Sequence, residues 1–250
     1  MTNKLKIYAV PMSQAVRAVL WVLFNKELPF ELVLTIPGSK DENGSRHPDY
    51  LSKFPNGTIP ALEDPESGFL LAESHAIMCY LCNKHSWTDL YPDEPKLRGM
   101  VDWYLNYHHR NVRDASVGLV APRIRKDLNI PQATQDAAQA TLTRALQALE
   151  TGWLAKHKFL AGDSVTIADM AAYVEIGQLQ PEFTNVFEFS AFPRVQSWLN
   201  DMHEVPGHDD VHVVLANLGD ISQAEPDKDT IRNANKLALG RLKERLAEFG

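Results

Sequence analysis

A serine hydroxyl at position 13 follows the apolar run KLKIYAV and opens the stretch SQAVRAVLWVLF, whose apolar spacing predicts a helix. At such a strand-to-helix turn Ser13 is able to donate a hydrogen bond to an anion, a thiolate or a phosphate, held at the positive end of the helix. The same hydroxyl is equally suited to cap the first turn by accepting from a backbone amide. A second candidate lies in FPNGTIPALED, where Ile59 and Pro60 lead into a strand. With a cis bond before Pro60, the N–H and C=O of Ile59 would face outward and could pair with a peptide; a plain turn into the strand is the alternative. The third is LLAESHAI, in which an apolar strand delivers Glu73 and Ser74 to another helix start. Ser74 as N-cap would aim amides and its hydroxyl at a carboxylate while Glu73 pairs with an ammonium, the two halves of an amino-acid head group. Taken singly, Ser74 reads equally well as a cap and Glu73 as a favourable first-turn charge.

The elements that must carry these residues change character along the chain. From Lys4 to about His85, short β-type runs (KLKIYAV, FELVLTI, IPALEDP, GFLLAE) alternate with helical ones, separated in the middle by a polar loop. After TDLYPDEP the strand signals nearly vanish, and apolar residues such as Leu142, Leu146, Leu149 and Trp153, or Val211, Leu215 and Leu218, recur at helical spacing. This predicts an α/β domain over residues 1–85, a linker over 86–95 and an all-helical domain over 96–250. With 250 residues, 44% hydrophobic and 23% charged, the chain can bury a substantial core. A net charge of −7 argues against a nucleic-acid footprint. No apolar run approaches the roughly 18 residues of a membrane span, and the polar start MTNKLK has no signal-peptide core. With only two cysteines, a reducing, cytoplasmic home is expected.

A hydroxyl at the first strand-helix turn, an Ile-Pro before the third strand and a Glu-Ser after the fourth form a layout that resembles the glutathione transferase family. The resemblance implies a thioredoxin-like α/β first domain and an all-α second domain. It extends to FLAGDSVTIADM at residues 159–170, similar to the family's helix-start motif, where Thr166 and Asp169 suit a capping box and Val165 a hydrophobic staple. SQAVRAV looks most like the theta class, in which a serine does the work usually done by a tyrosine. By this resemblance Ser13 and Arg113, in YLNYHHRNVR, are catalytic, while His47 (in GSRHPDY), Ile59, Pro60, Glu73, Ser74 and Arg17 bind glutathione. Read without it, Arg113 is a solvated helix charge, Arg17 a surface or interface residue, and His47 a solvated loop imidazole. The implied chemistry is activation of the glutathione thiol for attack on a small electrophile, with glutathione as co-substrate, no metal, and a homodimer. A non-catalytic binding or scaffold protein of the same fold is the alternative, as is a glutathione-dependent peroxidase, disulfide reductase or dehalogenase.

Other features carry less chemistry. Cys79 and Cys82 have the spacing of a redox pair but lie inside the helix after Ser74, where packing is the expected role. His108 and His109 point in different directions on a helix, and His208 and His212, one turn apart, lack a third metal ligand. Residues 225–250 form an amphipathic helix marked by Leu237, Leu242, Leu246 and Phe249. It is expected either to pack on its own domain or to cover an electrophile pocket between the domains, lined by Met12 and side chains near His109 and Arg113.

Overall fold

The computed structural model describes residues 4–249. Four strands make one sheet in the order β2-β1-β3-β4: β1 (Leu5–Ala9), β2 (Phe30–Leu34), β3 (Ala61–Asp64) and β4 (Phe69–Ala72). The β1–β2 pair is parallel, with Leu5 opposite Phe30, and the β1–β3 and β3–β4 pairs are antiparallel, with Ile7 opposite Leu62 and Leu62 opposite Leu71. The parallel pair needs a crossover, supplied by α1 (Gln14–Asn25). This mixed sheet with its crossover helix is the thioredoxin-like arrangement.

Every residue of α1 from Val16 to Phe24 is buried. A helix that is apolar nearly all round belongs in an interior rather than on a surface, and α1 accordingly packs against α3 (Ser74–His85) of its own domain and against α7 (Ile167–Ile176) and α9 (His208–Leu218) of the helical half. The helical half also contains α4 (Pro95–Asn111), α5 (Ala121–Ile124), α6 (Gln132–Ala148), α8 (Pro193–His203) and α10 (Lys228–Glu248). A single hydrophobic core runs through both halves; a small satellite of Tyr50, Phe54 and Ala61 sits beneath α2 (Pro48–Lys53). Helix α2 falls in the segment expected to be a polar loop. Proline at its first position and His47 at its N-cap start it, signals that six residues of PDYLSK were too short to betray by periodicity.

The helix-start motif forms as expected. Thr166 donates its amide to Asp169 Oδ2 at 2.9 Å and its hydroxyl to the same oxygen at 2.9 Å, while Asp169 Oδ1 accepts from Leu160 N at 2.8 Å and Trp198 Nε1 at 3.1 Å. Val165 packs against the core. In the tail, the buried face of α10 is Ala234, Ala238 and Leu242, with Ile231, Leu246 and Phe249 partly covered, and Leu237 is 45% exposed, contrary to its expected place on the apolar face. Small residues bring α10 close to α9, and Leu237 falls at the edge of the buried face, about 100° round the helix from its centre at Ala238. Among the described residues no helix is long and apolar enough to cross a membrane.

Candidate active site

The strand-helix junctions of the first half and helices α4 and α7 of the second enclose a cavity of about 240 Å³. Its wall brings together Ile59, Pro60, Glu73, Ser74 and Arg113 of the expected set, with His109 beside them. The Ile59–Pro60 peptide is cis, and among the described residues neither the N–H nor the C=O of Ile59 takes part in a backbone hydrogen bond. Glu73, not Ser74, is the N-cap of α3; Ser74 is its first residue and is buried. The sequence pointed to Ser74 because hydroxyl caps are common, but here the helix begins one residue earlier than a serine cap would require. Glu73 adopts φ 74° and ψ 118°, a strained backbone for a residue with a side chain. Strain of this kind persists where surrounding structure over-determines it, and it clusters at binding sites.

Ser13 is the N-cap residue of α1 by backbone position, with φ −72° and ψ 121°, yet its side chain makes no capping hydrogen bond. The hydroxyl is therefore uncommitted at the positive end of the helix, two residues before Ala15, which lines the cavity. Its chain neighbour Gln14 lays its carboxamide against the Arg113 guanidinium. Arg113 stands in the turn just past the end of α4 rather than within that helix, and its Nη1 donates to Glu175 Oε1 at 2.8 Å. Glu175, on α7, is 1% exposed and also accepts from Ser116 Oγ. Burial pushes its carboxyl above the usual carboxylate range, against the pull of Arg113 and Ser116.

Two expected ligand residues sit elsewhere. Arg17 is wholly buried, neither on the surface nor in the cavity wall. Its Nη1 donates to Met12 O at 2.9 Å, and its Nη2 donates to Val174 O and to Gln178 Oε1, each at 3.1 Å, so the guanidinium ties the turn before α1 to α7. Desolvation lowers its pKa to about 10, which still leaves it cationic near neutrality. The reason is the burial of α1 itself: an arginine on a helix enclosed on all sides must find its partners inside. His47 caps α2, its Nδ1 accepting from Asp49 N at 3.3 Å, and lies outside the cavity wall. Met12 likewise does not line the cavity, nor does any described residue of α10.

The wall also contains groups that sequence patterns did not single out. His75, next to Ser74, packs edge-on against His108 with ring centroids 4.8 Å apart. Burial lowers the His75 pKa to about 4 and holds His108 well below the ordinary imidazole range, so both are neutral at pH 7. The Cys79 and Cys82 thiols, both within α3, are raised by burial to about 11 and about 12 and stay protonated. His208 and His212 are core residues packed edge-on against Tyr173 and Trp21, and among the described residues no group of three His, Cys, Asp or Glu is arranged to hold a metal.

Comparison with known proteins converges on one family. Residues 7–94 match the family model for the glutathione S-transferase N-terminal domain, and residues 108–206 that for its C-terminal domain. Glutathione S-transferase T1 of Arabidopsis thaliana is 31% identical over 241 residues, covering 91% of this chain and 96% of its own. Glutathione S-transferase theta-1 of Mus musculus is 29% identical over 230 residues, 88% of this chain and 92% of that protein. The chain spans about two fifths of two other Arabidopsis relatives, T2 and T3, each 32% identical to it (39% and 40% of their lengths). Human glutathione transferase theta-2, solved in complex with glutathione and an unknown ligand, superposes with a TM-score of 0.72 at 25% identity, over 96% of this chain and 98% of that one. The chain belongs to the glutathione S-transferase family. Its relatives place it with the theta class.

Proposed function

We propose that the protein is a glutathione transferase in which the Ser13 hydroxyl donates to the sulfur of bound glutathione and stabilises its thiolate for attack on small electrophiles. The observation that carries this reading is the Ser13 side chain, free of any cap bond at the head of α1. A free thiol has a pKa of about 8.5 and the thiolate is the nucleophile, so the site must favour the anion. A shift of about two units corresponds to roughly 2.7 kcal/mol. One hydrogen bond to a charged group contributes about 1.5–3 kcal/mol, and a helix N-terminus about 0.3–1 kcal/mol more. One hydroxyl at this place is sufficient.

The remaining roles follow from the chemistry of the wall. Ile59, with its free backbone groups, suits the cysteinyl unit; Glu73 suits the γ-glutamyl ammonium and Ser74 its carboxylate. Arg113 adds positive potential on the side of Gln14, supported from behind by buried Glu175. His47 and Arg17 are assigned no direct contact: the one is engaged as a helix cap, the other in the interior. Exposed Phe69 and Leu70 on the edge strand β4 and Trp103 on α4 support a homodimer, and a cytoplasmic location accords with two unpaired cysteines. Ser13→Ala, assayed by calorimetry with glutathione and by conjugation with a small aryl halide, should bind the tripeptide near-normally and conjugate at least tenfold more slowly at pH 6.5. Full conjugation by the mutant would return Ser13 to a structural role, and no glutathione binding by either protein would leave a non-catalytic member of the family.

A further inference from the structure

The residue before Ser13 is held from two directions, by Asn235 far along the chain and by the nearby buried Arg17. Val10 to Ser13 form a turn closed by Ser13 N donating to Val10 O at 3.1 Å, with Pro11 at the position where its fixed φ is favourable. In a turn of this type the N–H of the third residue, Met12, is not used by the turn itself. Here it donates to Asn235 Oδ1 at 3.1 Å, a side chain on α10. The C=O of Met12 accepts from Arg17, whose other nitrogen is bound to α7. Both peptide planes flanking Met12 are therefore pinned, one directly by Asn235 of α10 and the other by Arg17 of α1, which is itself anchored to α7. Asn235 is itself held, its Nδ2 donating to Ile231 O at 3.0 Å one turn back. This fixes the carboxamide with its oxygen toward the turn.

We propose that Asn235 is a positioning residue for thiol activation: by holding the Met12 N–H it fixes the turn that aims the Ser13 hydroxyl, which makes the seating of α10 part of the activating apparatus. The inference rests on the Ser13 reading above. A hydrogen bond to an anion weakens steeply with misdirection, so a turn free to rotate its Pro11–Met12 peptide delivers the hydroxyl to the sulfur only part of the time. Asn235 touches neither glutathione nor the reacting atoms in this account. Its effect is transmitted through two covalent linkages of backbone, a short and stiff route. The buried stripe Ala234, Ala238 and Leu242 keeps α10 in place without Asn235, so removing that carboxamide should leave the helix docked.

The test compares the full-length native protein, Asn235→Ala, Asn235→Gln and Ser13→Ala, each loaded with glutathione. The thiolate absorbance is titrated against pH, and kcat and KM for glutathione are measured across the same range with one aryl halide. For Asn235→Ala the bound thiol is expected to titrate about one unit higher, equivalent to about tenfold less thiolate at a fixed pH below both values. Its kcat falls by a similar factor near pH 6.5 and recovers as the pH is raised, while KM for glutathione stays within about twofold because the tripeptide's own contacts are intact. Asn235→Gln, whose neutral carboxamide still reaches as an acceptor, recovers at least half of the shift. A native titration in Asn235→Ala, a loss of kcat that higher pH does not restore, or a Gln variant indistinguishable from Ala would overturn the proposal. Ser13→Ala separates the two levels. If it shifts the titration and Asn235→Ala does not, the positioning role alone fails; if neither shifts it, the Ser13 reading fails as well.

Discussion

Arg113 and Glu175 show how a charged residue beside a cleft is made to hold its place. Glu175 is almost fully buried while Arg113 is 38% exposed at its side chain, so the two partners are not equally costly to lose. Arg113→Ala leaves a buried carboxyl with the neutral partners Ser116 and Gln178 and no cation bonded to it, and it should lower stability by about 1–3 kcal/mol, less than the 3–5 kcal/mol of a wholly buried pair because water reaches the arginine side. Glu175→Gln keeps the volume and an acceptor and should cost less than Arg113→Ala. Urea unfolding of the two variants at pH 7 checks the order; equal costs would mean that Glu175 is already neutral in the native state. At this scale much of the site was legible. The cavity-wall pairs Ile59-Pro60 and Glu73-Ser74 are each announced by local turn and cap chemistry, which a sequence records directly. His75, His108 and Glu175 were not, because they meet only through the packing of α3, α4 and α7. Arg17 was misplaced although a signal existed: a lone arginine in QAVRAVLWVLF has no polar face of the helix to occupy, which implies an interior partner set.

Among the elements, α7 and α10 depend on different physics. The start of α7 is held by one carboxylate serving four donors, so Asp169→Ala would strand the amides of Leu160 and Thr166 and the Trp198 indole in a dry interior. A loss of about 3–5 kcal/mol is expected, read as a lowered urea midpoint with unchanged slope; a loss under 1 kcal/mol would mean that water replaces the carboxylate. Helix α10 is held by close approach. Ala234→Leu should overpack its contact with α9 at a cost of about 1–3 kcal/mol, whereas Leu237→Ala should stay within about 0.5 kcal/mol because that side chain is half in solvent. A larger effect at Leu237 than at Ala234 would contradict the observed register. The sequence drew attention to leucines in this tail, as apolar bulk usually marks a buried face, and the small residues Ala234 and Ala238 at i and i+4 escaped notice although they mark a close helix contact just as well.

For the whole molecule, the two halves share one core, and buried neutral imidazoles stand at their junction. His75 on α3 meets His108 on α4, and His208 and His212 on α9 meet Trp21 on α1. All four are lowered by burial, with His75 at about 4. A group whose folded pKa lies below its unfolded value binds protons preferentially in the unfolded chain, so stability rises with pH between the two values and is lost on acidification. Native stability should therefore fall as pH drops from about 6.5 toward 4. His75→Phe should flatten that slope by about 2–3 kcal/mol over the interval. Denaturant unfolding at a series of pH values checks it, and a mutant slope equal to the native one would show His75 to be solvated. The break in pattern after TDLYPDEP made both halves visible in the sequence, but not how closely they interlock, since helix periodicity says which face is buried and not against what.

The central claim concerns one proton. Glutathione bound to the native protein and to Ser13→Ala should be titrated by the ultraviolet absorbance of its thiolate. The account predicts a bound thiol about two units below the free value of about 8.5 in the native protein and a return close to that free value in the mutant. Equal titration in both would contradict it.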